Sequence, residues 1–237
     1  SGNNYSYTFN AVTTGTITKR AVAVTAVTDS KEYDGNASST GVPTYTPALV
    51  GGDTPSFTQA FDNKNVGTTK TLTPTGTVSD GNSGNNYSYT FNAVTTGTIT
   101  ARNLTATVVA DDKPYDGNTA AVISSCTLAT VVGSEDVTCT GTGTFDTPAV
   151  GTGKTVTVVV TLVGTAIGNY TVTTPVTTTA SILARTLTGT VTYGNAIGTP
   201  ATRYIPGTTI SASGITDGTT NGSGVYSMTG FVASLYL

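Results

Sequence analysis

Apolar and polar positions alternate with a period of two along most of the chain. Between residues 103 and 110, Leu104, Ala106 and Val108 alternate with Thr105, Thr107 and Val109, and residues 155–163 read TVTVVVTLV. This alternation sends successive side chains to opposite faces of a strand, and no window carries the 3.6-residue spacing of an amphipathic helix. Thr, Val, Ile and Tyr favour extended backbone, because branching at Cβ is stiff in a helix and packs well on a pleated surface. Turn signals break the pattern about every 8–12 residues, so an all-β chain of short strands is predicted. The longest apolar runs are interrupted by Thr at every second or third position, and none approaches the roughly 18 residues of a membrane helix.

Composition narrows the function. The 237 residues carry 10 basic and 13 acidic side chains, a net charge of −3, and charged residues make up 10%. Threonine alone supplies roughly a quarter of the chain. There is no His, which removes the side chain that titrates near neutrality and with it most acid–base triads and catalytic zinc sites. The only glutamates, Glu32 and Glu135, each fall near a turn, so no facing pair of carboxylates is indicated. No enzyme and no cofactor are expected. The pI of 4.7 offers no basic stripe for nucleic acid. The 28 glycines follow no G-X-Y period, and 37% apolar content is too high for a disordered tail.

The chain repeats itself. Residues 1–18, SGNNYSYTFNAVTTGTIT, recur unchanged at 83–100. The offset of 82 continues through Tyr33-Asp34-Gly35-Asn36 and Tyr115-Asp116-Gly117-Asn118. It then becomes 84, matching Phe61-Asp62 to Phe145-Asp146 and VGTTK at 66–70 to VGTGK at 150–154. Residues 1–20 are read as the closing strands of a preceding repeat, 21–102 as a first full unit, 103–185 as a second, and 186–237 as a different, partial β domain. No Gly/Ser or Pro linker separates them.

The order YDGN, Phe-Asp, VGTGKTVTV, GNYTVT and a closing Thr-rich strand resembles the YDG-type repeat domain of large bacterial surface adhesins, over residues 1–185. The resemblance implies tandem Ig-like β-sandwich domains in an elongated array, exported to the cell surface or secreted, acting as stalk, fibre or adhesive module without catalytic residues. GTVTYG at 189–194, IPGTTISASG at 205–214 and TTNGSGVYSMTGF at 219–231 are similar to part of a transthyretin-like, carboxypeptidase-regulatory-like sandwich.

Four groups of residues stand out as candidates. Tyr33-Asp34-Gly35 and Tyr115-Asp116-Gly117 suit turns, since Asp-Gly tolerates positive φ and the Tyr ring can cover the end of a sandwich. Asp111, Asp112 and Asp116 are weak calcium candidates, short of the 6–8 oxygen ligands that ion takes. Cys126 and Cys139 occur only in the second unit, with Thr44 and Phe57 standing 82 positions earlier. Two strands folding back near residues 132–135 would bring the thiols opposite one another, to oxidise in an exported protein or to stay as buried thiols in a reducing one. Asn3, Asn4, Tyr5 and Tyr7, with their copies Asn85, Asn86, Tyr87 and Tyr89, could form a carbohydrate platform for a host or glycan ligand, or simply one face of a strand. Finally, residues 1–20 have apolar positions and no sheet within the units that follow, so two accounts stand side by side: pairing with another copy of the chain, head to tail in an open filament or laterally, or membership of a preceding repeat.

Overall fold

The structure is a computed structural model that describes residues 4–190, 209–210, 218–219 and 225–229. It is all-β, and the chain divides into two units, Ser1–Arg102 and Asn103–Leu237.

In unit 1 the chain forms β1 (Arg20–Thr25), β2 (Ser30–Glu32), β3 (Thr44–Thr46), β4 (Thr54–Phe61), β5 (Gly67–Ser79), β6 (Tyr87–Asn92) and β7 (Val94–Thr100). These make two sheets, ordered β3-β1-β6 and β2-β7-β5-β4. β4 and β5 form a long antiparallel pair from Thr54↔Ser79 to Phe61↔Leu72. Two stretches of chain change sheets side by side. β1 and β6 run parallel, Arg20 level with Tyr87 and Thr25 with Asn92. A few residues on, β2 and β7 run parallel in the other sheet, from Ser30↔Thr98 to Glu32↔Thr100. Across the step, the Ala26 amide donates to the Asn92 carbonyl at 3.0 Å and the Thr98 amide to the Asp29 carbonyl at 3.1 Å. Val22, Val24 and Tyr87 from one sheet meet Phe57 and Val78 from the other in a shared core.

The change of sheet strips a neighbour from β5, whose pairing with β7 ends at Leu72↔Val94. Pro74 stands just beyond that point, where a missing N–H costs no ladder bond. Further along, the Tyr89 hydroxyl accepts the Val78 amide at 2.9 Å and so satisfies the open edge.

Unit 2 is built alike, from β8 (Arg102–Ala110), β9 (Lys113–Pro114), β10 (Ala120–Ala121), β11 (Ile123–Ala129), β12 (Thr138–Phe145), β13 (Gly151–Val163), β14 (Tyr170–Val172) and β15 (Val176–Leu183). Its sheets are β11-β8-β14 and β10-β12-β13-β15-β9, and β15 lies parallel to β9 with Ile182 level with Lys113. Val108, Phe145, Val156, Val158, Ala180 and Ile182 form its core. Beyond it, β16 (Thr186–Thr190) pairs with β19 (Val225–Thr229), and β17 (Thr209–Ile210) with β18 (Gly218–Thr219). Most of the expected transthyretin-like segment lies outside the described residues.

Cys126 and Cys139 form a disulfide with Cα atoms 5.7 Å apart. They are not opposite one another in a hairpin, however: β11 and β12 belong to different sheets, because the 130–137 segment carries the chain from one sheet to the other. The bond therefore staples the two sheets. The alignment to Phe57 also shifts. Phe61↔Leu72 and Phe145↔Val156 occupy the same place in the two hairpins, so Cys139 corresponds to Pro55 and Gly141 to Phe57. Unit 1 closes this end with a run of rings instead. Tyr45 and Phe57 lie 5.7 Å apart, Phe57 and Tyr89 6.0 Å, and Tyr89 and Phe91 5.9 Å.

Reducing the disulfide should therefore destabilise unit 2 by about 3 kcal/mol, the value for a loop of this length, and leave unit 1 unchanged. Residue-resolved denaturant unfolding by NMR, following Tyr87 and Tyr170 with and without reductant, checks this; equal loss at both residues contradicts it.

Candidate functional site

The YDGN turns are identical constructions in the two units. Gly35 and Gly117 take φ of 83° and 82°, the left-handed region that suits glycine. Asp34 Oδ1 accepts the Asn36 amide and Asp116 Oδ1 the Asn118 amide, each at 3.1 Å. Asn36 Oδ1 then accepts the Ser38 amide at 2.8 Å, and Asn118 Oδ1 the Ala120 amide at 3.0 Å. Tyr33 is fully buried, and Tyr115 packs half-buried against its core.

A lysine holds each turn. Lys31 Nζ donates to Asp34 Oδ1 at 2.8 Å, to the Asn36 carbonyl at 2.8 Å and to Asn36 Oδ1 at 3.0 Å. Lys113 Nζ lies 2.8 Å from Asp116 Oδ1 and donates to the Asn118 carbonyl at 2.9 Å and to Asn118 Oδ1 at 2.8 Å. The same ammonium groups stand over the Phe61 and Phe145 rings, 5.6 and 5.7 Å from the centroids. Those phenylalanines open a second clamped turn. Lys70 Nζ reaches Asp62 at 3.0 Å and Asn63 Oδ1 at 2.7 Å, and Lys154 Nζ reaches Asp146 at 2.8 Å and Thr147 Oγ1 at 2.7 Å.

These contacts set the charge state. The Lys70, Lys113 and Lys154 ammonium groups hold Asp62, Asp116 and Asp146 below the usual carboxylate range. At Asp34 burial alone would push the carboxyl up, and the bonds from Lys31 and the Asn36 amide outweigh it.

The other end of each unit is held by a tyrosine. The Tyr87 hydroxyl donates to Asp53 Oδ2 at 2.5 Å and accepts the Val50 amide at 3.0 Å. The Tyr170 hydroxyl donates to Glu135 Oε2 at 2.6 Å and accepts the Val132 amide at 3.1 Å. The Asp53 carboxylate pushes the Tyr87 phenol up.

The calcium candidates are not brought together. Asp116 is committed to Lys113, Asp112 Oδ1 accepts the Ser181 amide at 2.5 Å, and the Asp111 amide is bonded to the Val122 carbonyl. Among the described residues no three acidic or cysteine side chains gather at a metal-binding spacing. Of the residues named for a carbohydrate platform, Tyr87 and Tyr89 stand on one strand, β6, with their hydroxyls engaged. The Tyr87 hydroxyl is taken up by Asp53 and Val50, and that of Tyr89 by Val78 and Gly84, while Asn85 Nδ2 donates to the Asn82 carbonyl. Asn3 lies outside the described residues, and Asn4, Tyr5 and Tyr7 are exposed. A shallow cavity of about 240 Å³ is lined by Ile17, Thr18, Lys19, Asn85 and Asn86, with no carboxylate among them.

Lys31 and Lys113, and the Tyr87–Asp53 and Tyr170–Glu135 pairs, are not singled out by the sequence reading. One signal was present: both units read K-x-Y-D-G-N, with the lysine two residues before the tyrosine.

The landmarks YDGN and Phe-Asp are thus the clamped turns themselves, and the YDG domain matches residues 18–97 and again 100–180. The chain belongs to the YDG domain family. No curated protein matches it. Among solved structures it is similar to the Yersinia pseudotuberculosis adhesin InvE, at 15% identity, a TM-score of 0.27, and coverage of 84% of this chain and 67% of that one. The two YDG copies carry the same pair of lysine clamps, Lys31 and Lys70 in one and Lys113 and Lys154 in the other.

Because the folded pKa values of Asp62, Asp116 and Asp146 are depressed, their contribution to stability is present above the unfolded value of about 4 and disappears as pH falls through the folded values. Unfolding free energy should hold steady from about pH 7 to 5 and decline below about pH 4. In Lys113→Met the thermal midpoint of unit 2 should drop by a few degrees and its acid decline become shallower, as measured by thermal unfolding across a pH series. An unchanged acid limb would contradict the clamp.

Proposed function

We propose that this chain is a non-catalytic structural and adhesive repeat segment of an exported bacterial surface protein, its Ig-like sandwiches strung in an elongated array as a stalk or fibre. One observation carries the reading: two YDG copies in direct succession whose charged turn residues are consumed by internal clamps. Lysines that a catalytic or ligand-binding loop would offer to solvent are bound to Asp, Asn and Thr of their own turns. The sparse charge and Thr-rich strand faces suit a spacer without strong electrostatic attraction for other macromolecules. A sheet-to-sheet disulfide fits an oxidising, extracellular setting.

Small-angle X-ray scattering of the whole chain tests the array. The expected profile is that of a rod whose cross-section is one sandwich wide and whose length is several times that width. A compact, near-spherical particle would overturn the stalk reading.

A further inference from the structure

The two sheet-switching stretches of unit 1 are also where the chain enters and leaves it. The entering stretch, β1–β2, starts at Arg20, and the leaving stretch, β6–β7, ends at Thr100, just before β8 opens at Arg102. They run parallel, start beside start at Arg20↔Tyr87 and finish beside finish at Glu32↔Thr100. Tension along the chain therefore draws the first stretch back toward its start and the second on toward its finish. The two must slide past each other, so the bonds between them are loaded together. Antiparallel stretches would put entry and exit at one end, where the bonds open one after another.

The shared length is tied from end to end. At one end the Arg20 amide donates to the Asn86 carbonyl at 2.8 Å, and at the other the Tyr33 amide donates to the Thr100 carbonyl at 2.9 Å. The backbone ladder is interrupted at the change of sheet, between Ala26 and Asp29, and side chains bridge the gap. The Thr28 and Thr96 hydroxyls lie 2.7 Å apart there, and Asn92 Nδ2 donates to Thr25 Oγ1 at 3.3 Å. On either side Val22, Val24 and Ile99 are buried, so sliding also disturbs the apolar packing of both sheets. Residues 34–86, with the YDGN turn, β3, β4 and β5, fall between the two stretches in sequence and off the direct line of load.

We propose that unit 1 is a tension-bearing module in which the parallel pair of β1–β2 with β6–β7 is a shear clamp between the entry and the exit of the chain. Forced unfolding is set by the unfolding barrier, which is where bonds loaded together count most. Unit 2 has the same clamp in shorter form. Its β9 and β15 run parallel, the Tyr115 amide donates to the Leu183 carbonyl at 2.8 Å as Tyr33 does to Thr100, and the Asp112 carboxylate holds the Ser181 amide. Its disulfide lies between the clamping stretches in sequence, so it stays off the line of load until the clamp parts and then withholds the loop from Cys126 to Cys139. The stalk reading supplies the source of tension, but the clamp rests on the direction of pairing. A compact particle in scattering would leave the clamp standing, and loss of the clamp would leave the rod.

Single-molecule pulling on the full, oxidised chain tests the clamp by direction. Handles at Ser1 and Leu237 load unit 1 from Arg20 to Thr100, in shear. Moving the second handle to Ser83→Cys, a nearly isosteric change in the exposed turn before β6, applies the load beside Arg20 and peels the same bonds from one end. The native cysteines are bonded to each other and leave the new thiol as the point of attachment. In the end-to-end pull, unit 1 releases up to about 280 Å, at about 3.5 Å for each residue from 20 to 100. Unit 2 is told apart because reductant lengthens its release by about 40 Å, the loop that the disulfide withholds. At one pulling rate, the mean unfolding force of unit 1 should be several-fold lower from Ser83→Cys than end to end. Equal forces in the two directions, or a greater force from Ser83→Cys, would overturn the proposal.

Discussion

Parallel pairing of two sheet-switching stretches is the constraint on which each unit depends. In unit 1, β1–β2 and β6–β7 come from opposite ends of the unit in sequence and keep step from Arg20↔Tyr87 to Glu32↔Thr100. Because they cross together, both sheets are tied to the same pair of segments, and neither sheet is complete without the last residues of the unit. The other features follow as consequences. β5 loses a neighbour where β7 gives way to β6, which is why a proline is tolerated mid-strand and why a tyrosine hydroxyl is needed to satisfy Val78. Unit 2 meets the same need with Thr174 Oγ1, which accepts the Val160 amide at 3.0 Å.

Among the described residues, four lysine–aspartate pairs are placed at turns, where backbone geometry is least able to hold itself. A turn containing Asp-Gly leaves carbonyls and a carboxylate pointing outward, and one lysine ammonium gathers three acceptors in unit 1 and four in unit 2. The opposite end uses a phenol in the same way, with one oxygen serving a backbone amide and a carboxylate at once. Between these fixed ends the two units fill their interiors differently. Unit 1 has a run of aromatic rings and a buried Gln59, whose amide pairs with the Val27 backbone at 2.8 Å in both directions. Unit 2 has Gly141 and Gly143 at the positions of Phe57 and Gln59, and a disulfide beside them.

Much of this was legible in the sequence, because period-two patterning and the repeat offset are local signals. The alternation of Leu104, Ala106 and Val108 does mark β8, and the Asp-Gly pairs do mark turns with positive φ. What escaped was long-range. Nothing in the spacing of Cys126 and Cys139 says that the loop between them crosses from one sheet to the other, so a hairpin was the natural but mistaken picture. Lys31 and Lys113 look like ordinary surface lysines until three-dimensional structure puts Phe61 and Phe145 beneath them, some thirty residues away. Asp111, Asp112 and Asp116 look like a cluster only in one dimension, since the Asp112 carboxylate turns to the Ser181 amide and that of Asp116 to Lys113.

The two identical segments separate context from sequence most cleanly. If parallel partnership, and not local propensity, makes β6 and β7, then the same residues must behave differently at 4–18 and at 86–100. Residue-resolved amide hydrogen exchange on the dilute, monomeric chain measures this directly. The account predicts free-peptide exchange rates for the amides of residues 5–18 and slow exchange, by several orders of magnitude, for the ladder amides of Tyr87–Thr100. Equal protection of the two segments, whether both high or both low, would contradict it.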